Sequence, residues 1–383
     1  MACSRILVCP GVGKAVYFLT NDAENAVVAL PIGADGTLSP GTVTSTEGAG
    51  SNALFVPDLE PGAPDALLSQ SALTIAGNNI FAVNAGSNTV SMMSISPWDP
   101  TLLTMVGEPV ATPGEFPNTV AASVKNNLVC VATTGAVAGV SCAPFSATGG
   151  IGAMDDIRPF DIGQSTPPTG PPNTVSHTFF SSDEAVLFTT VKGDPDVNNT
   201  GFLSAFPVEG AGCLSREETR SSPDGTAVLF GSTTIPGDAS TLFVTDASFG
   251  AAVLSVDPAT AEASAVSLQE VDGQMATCWA TISSATGSAF VTDTAFNRMV
   301  EMKIEDASII SILDLTETGA PGLIDLKAAG EFIYALAPGN GTTEAAITVL
   351  DVSGGQGSMM LLQNFGLGVV GAGKSSQGMA ALV

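Results

Sequence analysis

Residues 243–256, FVTDASFGAAVLSV, set one apolar run against another across a short Asp-Ala-Ser turn, and residues 290–302, FVTDTAFNRMVEM, repeat the design. Aromatic, β-branched and small apolar residues broken by Asp, Asn, Ser or Gly read as paired antiparallel strands. The same arrangement occurs as YFLTNDAENAVVAL, FAVNAGSNTVSMM, CVATTGAVAGVSC, FTTVKGDPDVNNTGFLSAF and YALAPGNGTTEAAITVL. Aligning the first strand of each gives Phe18, Phe81, Cys130, Phe188, Phe243, Phe290 and Tyr334, at intervals of 63, 49, 58, 55, 47 and 44 residues. A loose period near fifty, with about four strands per unit, predicts a β-propeller.

Seven such units fit the chain. Their innermost strands read SQSALTIAG, PNTVAASVK, PNTVSHTFF, TAVLFGSTT, ATCWATISS, GLIDLKAAG and QGMAALV. Small residues dominate them, as crowding at a central axis requires. No long stretch has a period of 3.6, which excludes a parallel α/β sheet. The expected fold is therefore all-β: a seven-bladed β-propeller over residues 1–383, with residues 1–13 as an N-terminal extension. Its C-terminal strand would lie beside the N-terminal strands and remove two sheet edges.

The glycine-rich ending tests that reading. Residues 368–375 spell G-x-x-x-x-G-K-S, and Gly366, Gly368 and Gly371 spell G-x-G-x-x-G. Phosphate binding by either motif needs a following helix, whose N-terminus holds the anion. Here a strand-like QGMAALV follows, and no acidic residue lies downstream as a dinucleotide fold requires. No nucleotide is expected. The segment reads as the return that closes the ring.

The chain has 11 Lys+Arg against 37 Asp+Glu, a net charge of −26. A field of that sign repels nucleic acid and anionic membranes. Hydrophobic residues make up 45% and charged residues 13%, which fits a large buried core. No run approaches the roughly 18 apolar residues of a membrane span. Six cysteines occur without a C-x-x-C pair, so a zinc site is not expected, while Cys130 and Cys142 are placed to close one hairpin. Asn198 and Asn340 head N-glycosylation sequons. Together these point to a secreted or secretory-pathway protein whose leader is not in this sequence.

Several longer stretches resemble one family: LSQSALTIAGNNIFAVNAGSNTVS, GEFPNTVAAS, GPPNTVSHTFFSSDE, TRSSPDGTAVLFGS, VTDASFGAAVLSVDP and GLIDLKAAGEFIYALAPGNGTTEAA. They are similar to fungal proteins called 3-carboxymuconate cyclase-like, within the lactonase-type seven-bladed propellers. The likeness runs from about Lys14 to Val383. It implies the same fold, and one subgroup resembles the tropolone-sesquiterpenoid hetero-Diels–Alderases. In those, the resemblance implies, an o-quinone methide forms by loss of water and adds to a humulene-type alkene. True carboxymuconate cyclases hold a tricarboxylate with His, Glu and Arg, whereas this chain has one histidine and 11 basic residues in all.

Ligands of propellers gather where the loops entering the inner strands and the second-to-third-strand turns share a face. His177, the sole histidine, is the first candidate acid, base or donor. Arg220 and Gln274 are candidate donors to developing oxyanion charge. Phe116, Asn118, Asn173, Lys192, Asp246, Trp279, Asp293, Phe296 and Gln377 complete the expected substrate-binding set, with Gln70 and Asp22 on the same loops. Asp246 and Asp293 have a second reading, as carboxylates capping their own turns. Trp279 and Phe116 are equally suited to the core, and the PNTV frame shared by Asn118 and Asn173 suggests a repeated structural turn.

With no G-x-S-x-G elbow and a single histidine, a serine hydrolase is hard to build. The expected function is a cofactor-free cyclase of small hydrophobic molecules, in its sharpest form a hetero-Diels–Alderase. The alternatives are a muconate-type lactonising cyclase and a secreted non-catalytic glycoprotein. Homo-oligomerisation is left open. The lining of the axis separates the three: convergent Arg and Lys favour the lactonising cyclase, an apolar pocket with few donors the pericyclase, and a filled channel the glycoprotein.

Overall fold

The computed structural model describes residues 13–210 and 212–383. Its strands form seven antiparallel sheets of four or five strands and one small three-stranded sheet. The first strands of the seven are Gln377–Leu382, Leu73–Ala76, Pro117–Ser123, Val175–Phe180, Leu229–Thr234, Thr277–Ser283 and Ile324–Ala329. Each lies against the first strand of the next sheet, and the cycle closes from Ile324–Ala329 through Gln377–Leu382 to Leu73–Ala76. The result is a β-propeller. Gln377–Leu382 pairs antiparallel with Ala15–Leu19, so the two ends of the chain share one sheet.

Phe18, Phe81, Phe188, Phe243, Phe290 and Tyr334, the aromatic markers of the repeat, are all fully buried in the second strands. Each such side chain contributes about 1.5–3 kcal/mol by leaving water. At Cys130 the repeat has no aromatic; there the second strand pairs with the third directly opposite Cys142, and the two form a disulfide. Asp246 and Asp293 follow their capping reading. Asp246 accepts from the Ala227, Val228 and Ser248 amides, and Asp293 from the Met275, Ala276 and Ala295 amides. Each carboxylate thus ties its turn to the segment entering the inner strand.

The glycine-rich ending is the ring's return. A single 3-10 turn at Gly368–Val370 links the outer strand Met360–Gly366 to Gln377–Leu382. The Gly368 amide donates to Glu344 Oε1 at 2.8 Å, which ties the turn to the blade it leaves.

Two features position the site. First, the inner strands break register near their starts, at Pro117/Thr119, Val175/His177, Leu229/Ser232, Thr277/Trp279 and Ile324/Leu326. Such bulges re-aim side chains, and here they carry Asn118, Ser176, Phe230, Cys278 and Asp325. Second, the crossover from the first sheet to the second is long. Part of it, Leu54–Phe55, pairs with Glu60–Pro61 and with Thr169–Gly170 from the third-to-fourth crossover, forming the small sheet.

Candidate functional site

After that small sheet the chain turns inward, and residues 65–71, DALLSQS, enter the axis. Asp65, Leu68 and Ser71 adopt left-handed backbone, with φ of 70°, 57° and 62°. Side-chain-bearing residues rarely do so unless their surroundings enforce it. Here partners come from the six other large sheets. Asn118 Nδ2 donates to Leu67 O (3.2 Å), Trp279 Nε1 and Gln377 Nε2 donate to Ser69 O (3.0 and 3.1 Å), and the Gln70 amide donates to Ser176 O (2.9 Å). Gln70 Nε2 reaches Ser232 O and its Oε1 accepts from the Ala280 amide, while Ser71 N donates to Asp325 Oδ2. A Cβ on Gly231 would lie 2.3 Å from Gln70 Oε1, so only glycine admits this glutamine. The axis is therefore filled halfway along, leaving a cavity at each end.

On the face of the inner-strand starts, a cavity of about 200 Å³ is lined by Phe55, Pro64, Pro171, Phe230, Asp65 and Lys192, with Cys278 beside them. Lys192 is 1% exposed. Its Nζ donates to Leu68 O at 2.7 Å and to Ser176 Oγ at 3.1 Å, and sits 4.4 Å from the centre of the Phe230 ring. Ser176 Oγ gives its own hydrogen to Leu229 O, so it can only accept from the lysine. Two of the three ammonium hydrogens are thereby spent. Among the described residues, Lys192 forms no ion pair within 4.0 Å. Asp65 faces the same cavity and accepts from Gln377 Nε2 at 3.0 Å.

Burial lowers the affinity of Lys192 for its proton, and the Asp65 charge partly restores it. Burial raises that of Asp65, with Lys192 and Gln377 opposing. Both therefore titrate much closer to neutrality than their free forms. Burial also pushes the Cys278 thiol well up, so it is a neutral wall.

At the opposite end, by the turns joining first to second strands, a cavity of about 240 Å³ is lined by Ser71, Thr74, His177, Thr178, Ser181 and Glu184 among others. His177 Nε2 is 3.0 Å from Ser71 Oγ, its ring stacks on Phe179, and its Nδ1 has no partner. Burial first, and then the Lys327 charge, hold its pKa well below the usual range, so the imidazole is neutral at pH 7.

The expected catalytic residues do not converge. His177 lies beyond the filled axis from Lys192. Arg220 stands on the outermost strand Thr219–Ser221, paired with Glu218 at 2.5 Å and stacked 3.9 Å over Phe202. Gln274 braces two sheets, donating to Ala247 O and accepting from the Thr277 amide. Of the expected binding residues, Lys192 lines the first cavity and Gln377 reaches it through Asp65. Phe116 and Trp279 are core, and Phe296 is exposed beneath Arg298. Asn118 and Asn173 are not equivalent: Asn118 is a buried bulge residue, whereas Asn173 precedes its strand at φ 53° and meets Asp194 and Asn199. Asn198 and Asn340 are both exposed. Cys213 and Cys278 are free thiols; Cys3 and Cys9 lie outside the described residues.

Asp65, Phe230, Cys278 and the residue 62–71 insertion escaped the sequence reading. The signal for the insertion was present in the longest repeat interval, 63 residues between Phe18 and Phe81.

No family model and no curated protein matches the chain. Solved structures do. A periplasmic gluconolactonase from Pseudomonas aeruginosa aligns at TM-score 0.65 and 15% identity over 96% of this chain and 99% of its own. A protein from Lactobacillus plantarum aligns at 0.65 and 15% over 97% and 100%. A hypothetical selenium-binding protein from Sulfolobus tokodaii aligns at 0.63 and 9% over 98% and 94%. Identity this low carries the fold and not the chemistry. The chain is a β-propeller of the architecture that includes gluconolactonase.

Proposed function

We propose that this protein is a cofactor-free enzyme of the lactonase or cyclase type, acting on a compact, uncharged, mainly apolar carbonyl compound in the Lys192 cavity. The observation that carries the reading is the unspent third hydrogen of a buried Lys192 ammonium in an apolar cavity with Asp65 on its wall. A substrate carbonyl oxygen is the matching acceptor. In a water-poor site such a donor stabilises developing oxyanion charge far better than water does.

Volume and charge narrow the reaction. About 200 Å³ is below the 300–1,000 Å³ range of drug-sized sites. That favours ring closure or opening within one substrate over the joining of two. The hetero-Diels–Alder form of the reading therefore needs its sesquiterpene partner to extend beyond the cavity. One lysine among apolar walls also matches a neutral substrate better than a tricarboxylate. The Cys130–Cys142 disulfide fits an oxidising compartment, in keeping with secretion.

The test is turnover of a panel of compact lactones, hydroxy-acids and enones, followed by NMR, with wild type and Lys192→Met side by side. Equal rates in the two proteins on every converted substrate would end this assignment.

A further inference from the structure

Lys192 and Asp65 form a pair with an unusual disposition. Both line one cavity, both are buried, and they are not in ion-pair contact. Both side chains border that cavity without closing on each other. The lysine's hydrogen-bonding partners are a carbonyl and a hydroxyl, both neutral, and an aromatic face stands 4.4 Å away. In such surroundings the neutral amine and carboxylic acid compete with the charged pair, because separated charges lose their hydration.

We infer that Lys192 captures ketones or aldehydes covalently, as an iminium formed in this cavity with Asp65 as proton carrier. The inference rests on the proposed reading of Lys192 as the group that meets the substrate carbonyl. Lys192 first passes one proton to the Asp65 carboxylate, relayed by a solvent water because the two groups are not in direct contact. The neutral amine then adds to the carbonyl carbon, giving a carbinolamine whose nitrogen has supplied a proton to its oxygen. Asp65 returns its proton to that oxygen, the C–O bond breaks, and water leaves. The products are a protonated imine on Lys192, an ionised Asp65 and one water, so the three ammonium hydrogens are accounted for and charge is conserved. The iminium then withdraws electrons from the neighbouring carbon, which is the activation an intramolecular ring closure needs.

Reductive trapping reads the step directly. Wild-type protein is incubated with benzaldehyde and cyanoborohydride at pH 7.5, and the benzylated lysines are mapped by peptide mass spectrometry. The expected result is one benzyl group on Lys192, formed ahead of labelling at the exposed Lys14 and Lys125. Asp65→Asn should slow labelling of Lys192 by roughly 100-fold, the usual worth of a positioned acid–base group, while leaving Lys14 and Lys125 unaffected. Labelling confined to exposed lysines overturns the inference, and so does labelling of Lys192 at equal rate in Asp65→Asn. If Lys192→Met abolishes turnover but wild type yields no adduct at Lys192, the covalent step falls and the carbonyl-donor reading stands. If Lys192 is labelled yet Lys192→Met retains turnover, the covalent capture stands and the proposed reaction falls.

Discussion

The two cavities at the ends of the filled axis are similar in size and opposite in chemistry. The Lys192 cavity is apolar and carries a lysine and an aspartate whose proton affinities have been drawn toward each other. The His177 cavity mixes hydroxyls and Glu184 with apolar side chains and holds an imidazole kept neutral. Burial acts on Lys192, Asp65 and His177 alike, but only in the Lys192 cavity are the acid and the base both fully buried, since Glu184 beside His177 is half-exposed. A solitary histidine is thus a weaker guide to a site than a buried pair of unlike groups.

The sharpest way to break this comparison is to disable one end at a time. Lys192→Met should lower turnover by about 100-fold or more, as loss of an oxyanion donor does, while His177→Ala leaves it unchanged. The opposite pattern would move the active site to the other end. Turnover should also be bell-shaped in pH, needing Asp65 ionised above about 6 and Lys192 protonated below about 8. A rate that climbs steadily through pH 9 would contradict the paired roles.

The barrier between the cavities comes next. Gly231→Ala forces a methyl against Gln70 Oε1 and Cys278 O. It should cost about 1–3 kcal/mol, as overpacking does, read as a lowered midpoint in urea with an unchanged slope. Gln377→Leu removes donors to both Asp65 and Ser69 in a fully buried place. A loss of about 1–3 kcal/mol is expected from the unpaired acceptors, together with an upward move of the acid limb of the turnover profile. An unmoved acid limb would show that Gln377 supports the fold without tuning Asp65.

The pair also shows in linkage. Because the folded state holds the Lys192 proton less tightly than the unfolded chain, wild-type stability relative to Lys192→Met should rise between pH 8 and 10. For Asp65, held more tightly when folded, the contribution should fall as pH rises from 4 to 6. Urea titrations of wild type, Lys192→Met and Asp65→Asn across this range test both signs.

Much of this molecule was readable from spacing. The aromatic markers, the innermost strands from PNTVAASVK to QGMAALV, the Cys130–Cys142 hairpin and the return through the glycine-rich ending all follow from local pattern. Each rests on contacts between neighbours in sequence, or on a repeat that strand alternation and turn chemistry make visible. Lys192 follows from the same logic, since it opens the turn after the second strand of its repeat, Val186–Val191.

What only the tertiary structure decided was the axis. Whether Gln70 crosses to Ala280, whether Asp65 meets Gln377, and on which side of a barrier His177 falls depend on contacts spanning 210, 312 and 106 residues. The left-handed turns of the 65–71 insertion and the bulges of the inner strands set those directions, and no period in the sequence records them. Local alternation determined the sheets of the ring; convergence of the sheets on the axis determined the site.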